Sequence, residues 1–183
     1  MKNKSYFSLK QLCMMSFLAV FGMFIKPIVS PVFNLLTDFI RIPGGSVTAG
    51  FSILFLVFAS AVTQKFGTAT FMGIIQAFIA LNMGISSIVG LLVFITYTLP
   101  GLAIDTVLCT PVCEKLATKE KMATAGAVGV LTGAGFTNML YYNMSVVPFL
   151  LFYMFGILSG ALGGIVAYKI IGRIPKQLLS NIR

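Results

Sequence analysis

The chain has 183 residues, of which 58% are hydrophobic and only 9% charged, and its mean hydropathy is +1.00. Soluble domains are about 45–50% apolar and about 25% charged, so no water-soluble fold of this length hides so much apolar surface. The net charge of +9 does not point to nucleic acid, because the basic residues lie between and beyond apolar runs, where they set membrane topology.

The chain opens with "MKNKSYFSLKQLCMMSFLAVFGMFIKP", lysines before an apolar stretch, as in a signal peptide. No small-x-small cleavage site follows it, so an uncleaved first helix is expected. A transmembrane helix needs about 20 mostly apolar residues. Segments 9–25, 47–62, 68–83, 87–108, 122–140 and 147–171 meet that requirement. The stretch between the first two, "KPIVSPVFNLLTDFIRIPGG", is broken by Pro27, Pro31 and Pro43 and turned by Gly44–Gly45. It reads as a long outer connector, either a binding loop or a plug of the outer face. Eleven of the thirteen basic residues fall on one side of these segments, and only Lys26 and Arg41 on the other. Both termini are therefore expected in the cytoplasm. The expected fold is an all-α integral membrane protein, one transmembrane domain of about six helices over residues 1–183.

Small residues recur at helical spacing: Ser16, Ala19 and Gly22 on helix one, Gly73, Ala77, Ala80 and Gly84 on helix three, Gly129 and Gly133 on helix five, Gly156, Gly160 and Gly164 on helix six. Such stripes let helix backbones approach closely in lipid. Most serve packing within the bundle; those on helices one and six are also candidates for docking a partner protein. The six helices do not divide into similar halves, as those of many secondary transporters do.

An enzymatic reading is poor. There is no G-x-x-x-x-G-K-[ST] phosphate loop and no histidine, and no base accompanies a serine or cysteine nucleophile. No cofactor or metal is expected. Cys13, Cys109 and Cys113 give no disulfide framework, and without histidine the C-x3-C pair reads as ordinary thiols. The polar side chains that do occur suggest an outer small-molecule site with aromatic walls and a few amides. The candidates are Asn34 and Asp38 in the first connector, Gln76 and Asn82 on helix three, and Thr96 and Tyr97 on helix four. Asn138, Tyr141 and Tyr142 at the end of helix five and Tyr153 on helix six complete the set. An interfacial aromatic belt is the plainer account of the tyrosines.

Asp105 stands apart, a carboxylate inside an apolar span. A charge at a helix centre costs roughly 2.5–3.5 kcal/mol, so such a residue usually has a partner. Tyr97, Gly101 and Asp105 share a helix face at i, i+4 and i+8. Asp105 is expected to pair with a lysine or arginine on the cytoplasmic side, or to cap a neighbouring helix, and so to support a gate or docking surface. A carboxylate reaching interfacial water is the alternative.

The stretches "QKFGTATFMGIIQAFIALNMG" and "LLVFITYTLPGLAIDTVL", with Gly67, Gly101 and Asp105, resemble the S components of energy-coupling factor transporters, in particular those for the hydroxymethylpyrimidine precursor of thiamine. The resemblance implies a substrate-binding subunit in a bacterial plasma membrane, taking a vitamin or vitamin precursor. It also implies a transmembrane coupling subunit and two ATPases as partners, which would account for the missing phosphate loop. Where many S components carry an A-x-x-x-A pattern on helix one, this chain has Ser16, Ala19 and Gly22. The rival readings are an ion- or proton-coupled carrier acting alone and an assembly subunit with no ligand.

Overall fold

The computed structural model describes residues 6–38, 45–83, 90–109, 118–141, 146–175 and 177–179, without the side chains of 36–38, 45–47, 91, 138–141 and 146–148. Among the described residues the regular structure is helical. It comprises α1 (Leu9–Asp38), α2 (Gly45–Thr63), α3 (Thr68–Asn82), α4 (Gly90–Cys109), α5 (Lys119–Tyr141) and α6 (Val146–Arg173), with a single turn at 177–179. Three helical stretches are long and apolar enough to cross a membrane on those grounds alone: Leu9–Leu35, Leu92–Cys109 and Phe149–Arg173. Thr48–Thr63 and Thr68–Asn82 are apolar but shorter. In α5, Gly, Ala and Thr replace the larger aliphatic residues, and its first turn carries Lys119, Glu120 and Lys121.

α2 is the hub. It packs against each of the other five helices, while α1, α3, α4, α5 and α6 form an arc in which each contacts the next. Met15 and Ala19 of α1, Val57 of α2, Met72 of α3, Ile104 of α4 and Met122 of α5 are completely buried in one shared core. Lipid is as apolar as leucine, so packing density and close backbone approach, rather than escape from water, hold such a bundle together.

Glycines set the closest crossings. A methyl group at Gly164 of α6 would run into the Met122 carbonyl of α5, and one at Gly160 into the Gly126 carbonyl. Gly156 faces Val130. Ala19 of α1 is fully buried, Gly22 rests on Phe55 of α2, and Ser16 beside them is half-buried. Gly160, Gly164 and Ala19 thus lie against neighbouring helices of the same bundle, which is one of the two roles expected for these small-residue faces.

The first connector also differs from expectation. Residues 26–38 continue α1 as helix, with Pro27 and Pro31 inside it, so there is no loop before residue 39. Proline removes one backbone hydrogen bond and crowds the preceding turn, which is why the sequence reads as broken. The two rings are four residues apart on one face, and both are exposed, away from the packed side. Transmembrane helices accommodate proline by small local adjustments. At 30 residues α1 is about 45 Å long, against a hydrocarbon core of about 30 Å, so it tilts or projects beyond the core.

Candidate functional site

The α2–α3 reversal is made in four residues, Gln64 to Gly67, both of these with positive φ (54° and 88°). Gly67 takes the left-handed conformation at the N-cap of α3 and has no side chain with which to cap it. Thr68 and Ala69 are fully buried, so the first N–H groups of α3 are out of reach of water. At only 15 residues, about 22 Å, α3 cannot reach both membrane interfaces.

α4 supplies the missing cap. Gly101 lets α4 lie against the Ala69 carbonyl and Thr70, and Gly73 rests on the Tyr97 carbonyl one turn away. Asp105 follows Gly101 by one turn on that face and is completely buried. Its Oδ1 accepts from the Ser60 hydroxyl (2.7 Å) and the Ala69 amide (3.1 Å). Its Oδ2 accepts from the Thr70 amide (2.9 Å) and the Thr70 hydroxyl (2.8 Å). The partial positive charge of a helix N-terminus favours an anion there, and the two amides are those that an N-cap side chain ordinarily satisfies. Of the alternatives for Asp105, the geometry selects the helix cap.

Further hydrogen bonds extend from this junction. Thr63 and Thr68 share a hydrogen bond between hydroxyls (2.8 Å), and Thr68 also donates to the Lys65 carbonyl (2.8 Å). The Lys65 ammonium donates to the Tyr6 carbonyl (2.7 Å) and to Gln11 Oε1 (2.9 Å), and lies 5.7 Å from the Tyr6 ring centroid. Gln11, fully buried, also accepts from the Ser8 amide (3.0 Å). The segment before α1 is thereby tied to the α2–α3 turn.

The six candidate binding residues whose side chains are described do not form one cluster. Gln76 is buried between α3 and α1, its Nε2 3.6 Å from where a Gly22 Cβ would stand. Tyr97 packs nearby on Met23, Ala77, Ala80 and Val93. Thr96 donates to the Val93 carbonyl of its own helix (2.9 Å). Asn82 is exposed and donates to the Phe78 carbonyl (2.8 Å), and Asn34 is exposed on α1. Tyr153 belongs to the α5–α6 contact, where its hydroxyl lies over Gly135 and its ring meets Phe149 at 4.6 Å. The side chains of Asp38, Asn138 and Tyr141, and Tyr142 altogether, lie outside the described residues, as do Gly84 and Cys113.

Sequence reasoning missed Ser60, Thr63, Thr70, Gln11 and Lys65 as members of the Asp105-end network. A signal was present: "GTAT" places hydroxyls at the start of an otherwise apolar helix, and Gln11 opens the stripe Gln11, Met15, Ala19, Gly22 along α1. Continued by four residues, that stripe reaches Lys26.

A helical bundle with an apolar exterior, glycine-mediated crossings and an internal carboxylate cap defines a polytopic membrane protein. The chain belongs to the family described as the permease component of ABC-type cobalt transport systems, whose model matches residues 10–132, about two thirds of its length. It is thus a plasma-membrane component of an ABC-type transporter, a transport subunit rather than an enzyme. No curated protein and no solved structure matches significantly.

Proposed function

We propose that the chain is the substrate-capturing membrane subunit of an ATP-driven importer of the energy-coupling factor type, binding a small vitamin-like organic molecule. The observation that carries the reading is membership of a transport permease family by a chain that has no phosphate loop of its own. ATP hydrolysis then belongs to two ATPase partners, joined through a transmembrane coupling subunit. The Asp105 end, where eleven basic residues gather by sequence, faces the cytoplasm, and capture takes place in the half beyond Gln76. A pyrimidine related to thiamine is the first candidate, by the likeness around Gly67, Gly101 and Asp105.

Cobalt itself is the second reading, favoured by the family's description. The side chains of this chain suit a bare divalent ion poorly. It has no histidine and only four carboxylates, and one of these, Asp105, is engaged at the α3 cap. Among the described residues no three His, Cys, Asp or Glu side chains cluster. Divalent transition metals favour imidazole, thiolate and carboxylate sets.

Mass spectrometry of the protein purified in mild detergent, with calorimetric titration of cobalt chloride, tests the two. A retained organic molecule, weak cobalt binding and no accumulation by the chain alone in liposomes support the proposal. Tight cobalt binding with no organic molecule establishes the second reading instead. Concentrative uptake by the chain alone on a proton or sodium gradient identifies a secondary carrier.

A further inference from the structure

Gln76 in the α1–α3 seam, and Lys26 further along the packed side of α1, have no partner among the described residues. Gln76 is only 5% exposed, yet its amide makes no hydrogen bond there. An amide so placed has up to four hydrogen-bonding positions, and leaving them unmet is costly in a protein interior and more so within lipid. Native proteins keep such a group for a reason, a ligand contact among them. Lys26 is the second. The packed face of α1 runs through Gln11, Met15, Ala19 and Gly22, and Lys26 comes next, half-buried, one turn past the glycine that meets Gln76.

The acids on the described helices are not placed to neutralise Lys26. Asp105 is committed to the α3 N-terminus. Glu120 is exposed in the first turn of α5, at the Asp105 end of the bundle. Asp38 is twelve residues further along α1, about 18 Å of helix, beyond the reach of a lysine. Glu114 lies outside the described residues. A cation on the inward face of a membrane helix ordinarily pairs with an anion or marks a substrate path.

We propose that Lys26 and Gln76 form a subsite for an anionic group of the substrate, a carboxylate or a phosphate, with the Gln76 amide bonding to the heteroatoms beside it. Tyr97, in the adjoining cluster with Met23, offers an aromatic surface for the rest of the molecule. The subsite repels a bare metal cation and gives an anionic organic molecule its counter-charge. It rests on the reading that this chain binds substrate and adds the chemical class.

The test uses matched probes that differ in charge: hydroxymethylpyrimidine against its phosphate, and nicotinamide against nicotinate, with inorganic phosphate and acetate as minimal anions. Thermal shift and calorimetry are run on the full chain in detergent for wild type, Lys26→Met, Lys26→Arg and Gln76→Leu, with monodispersity as the check on folding. At least one anionic probe should bind wild type tenfold or more tightly than its neutral partner. Lys26→Met should abolish that preference, and Lys26→Arg should retain most of it. A preference for phosphate members identifies a phosphate subsite, and one for nicotinate a carboxylate subsite. Equal binding of charged and neutral members, or no response to any anion, overturns the proposal. In the equal-binding case a substrate-binding subunit still stands, whereas failure of the broader reading shows as uptake by the chain alone or tight cobalt binding. A probe-free measurement accompanies these. Gln76→Glu should raise the melting temperature when Lys26 is present and lower it in the Lys26→Met background, and equal loss in both backgrounds overturns the shared site.

Discussion

The Asp105 junction and the Lys26–Gln76 seam both put polar side chains into an apolar bundle, but only the first uses them for holding helices together. Asp105 accepts four hydrogen bonds from α2 and α3, two of them from backbone amides with no other cap. Gln76, nearly as buried, has no such bond among the described residues. A buried polar group with all its partners stiffens a structure, whereas one without them costs stability unless something else engages it. The contrast separates the structural end of the bundle from the end with chemistry left over.

Substitutions can break or sharpen this contrast. The largest effect is expected from Asp105→Ala, which strands two amides and two hydroxyls at roughly 1–3 kcal/mol each. The protein should lose at least about 3 kcal/mol by thermal unfolding in detergent, or fail to fold. Asp105→Asn keeps an acceptor but loses the charge at the helix end. It should cost about 1–2 kcal/mol, slow transport in the assembled importer, and leave small-molecule affinity nearly unchanged. A large loss of binding in the isolated chain would place Asp105 in the substrate site and erase the distinction.

Ala19→Leu comes next, since a fully buried alanine on α1 leaves no room for an isobutyl group. Overpacking of this kind costs roughly 1–3 kcal/mol. Stability and binding should fall together; loss of transport alone would instead put the face against an external partner.

Lys65→Met should cost about 1 kcal/mol, releasing the Tyr6 carbonyl and Gln11. Proteolysis before α1 should become faster, and melting should shift only slightly. The smallest effect on stability is expected from Gln76→Leu. Removing an amide that makes no hydrogen bond among the described residues should change stability by less than about 1 kcal/mol, in either direction. A loss as large as that of Asp105→Ala would show that Gln76 is a structural group and would collapse the comparison.

Membrane placement and helix positions were legible because they follow from local composition. α3 was expected at 68–83 and lies at Thr68–Asn82, and α4 ends at Cys109 against an expected 108. Proline misled at residues 27 and 31, which were read as breaking the chain, whereas α1 continues through both, as transmembrane helices do when local adjustments re-satisfy the freed backbone groups. The shared face of Tyr97, Gly101 and Asp105 was also readable, because helical periodicity alone fixes it.

What faces that stripe was not readable. Two outcomes remained open for Asp105, an ion pair or a helix cap, and the choice depended on how closely α4 approaches α3. That distance is set by Gly73 and Gly101 resting on the partner backbone, a property of two helices together. The same holds for Gly156, Gly160 and Gly164, whose spacing announces close contact but not whether α5 or another protein supplies it. Sequence by itself determined the solvent of this protein, where most of its helices begin and end, and which residues share a face, since each follows from neighbours along the chain. Only tertiary structure decided which faces meet, that Asp105 caps α3, and that Gln76 is buried against Gly22 without a hydrogen bond among the described residues, because those contacts join residues far apart in the chain and depend on helix crossings that no local pattern encodes.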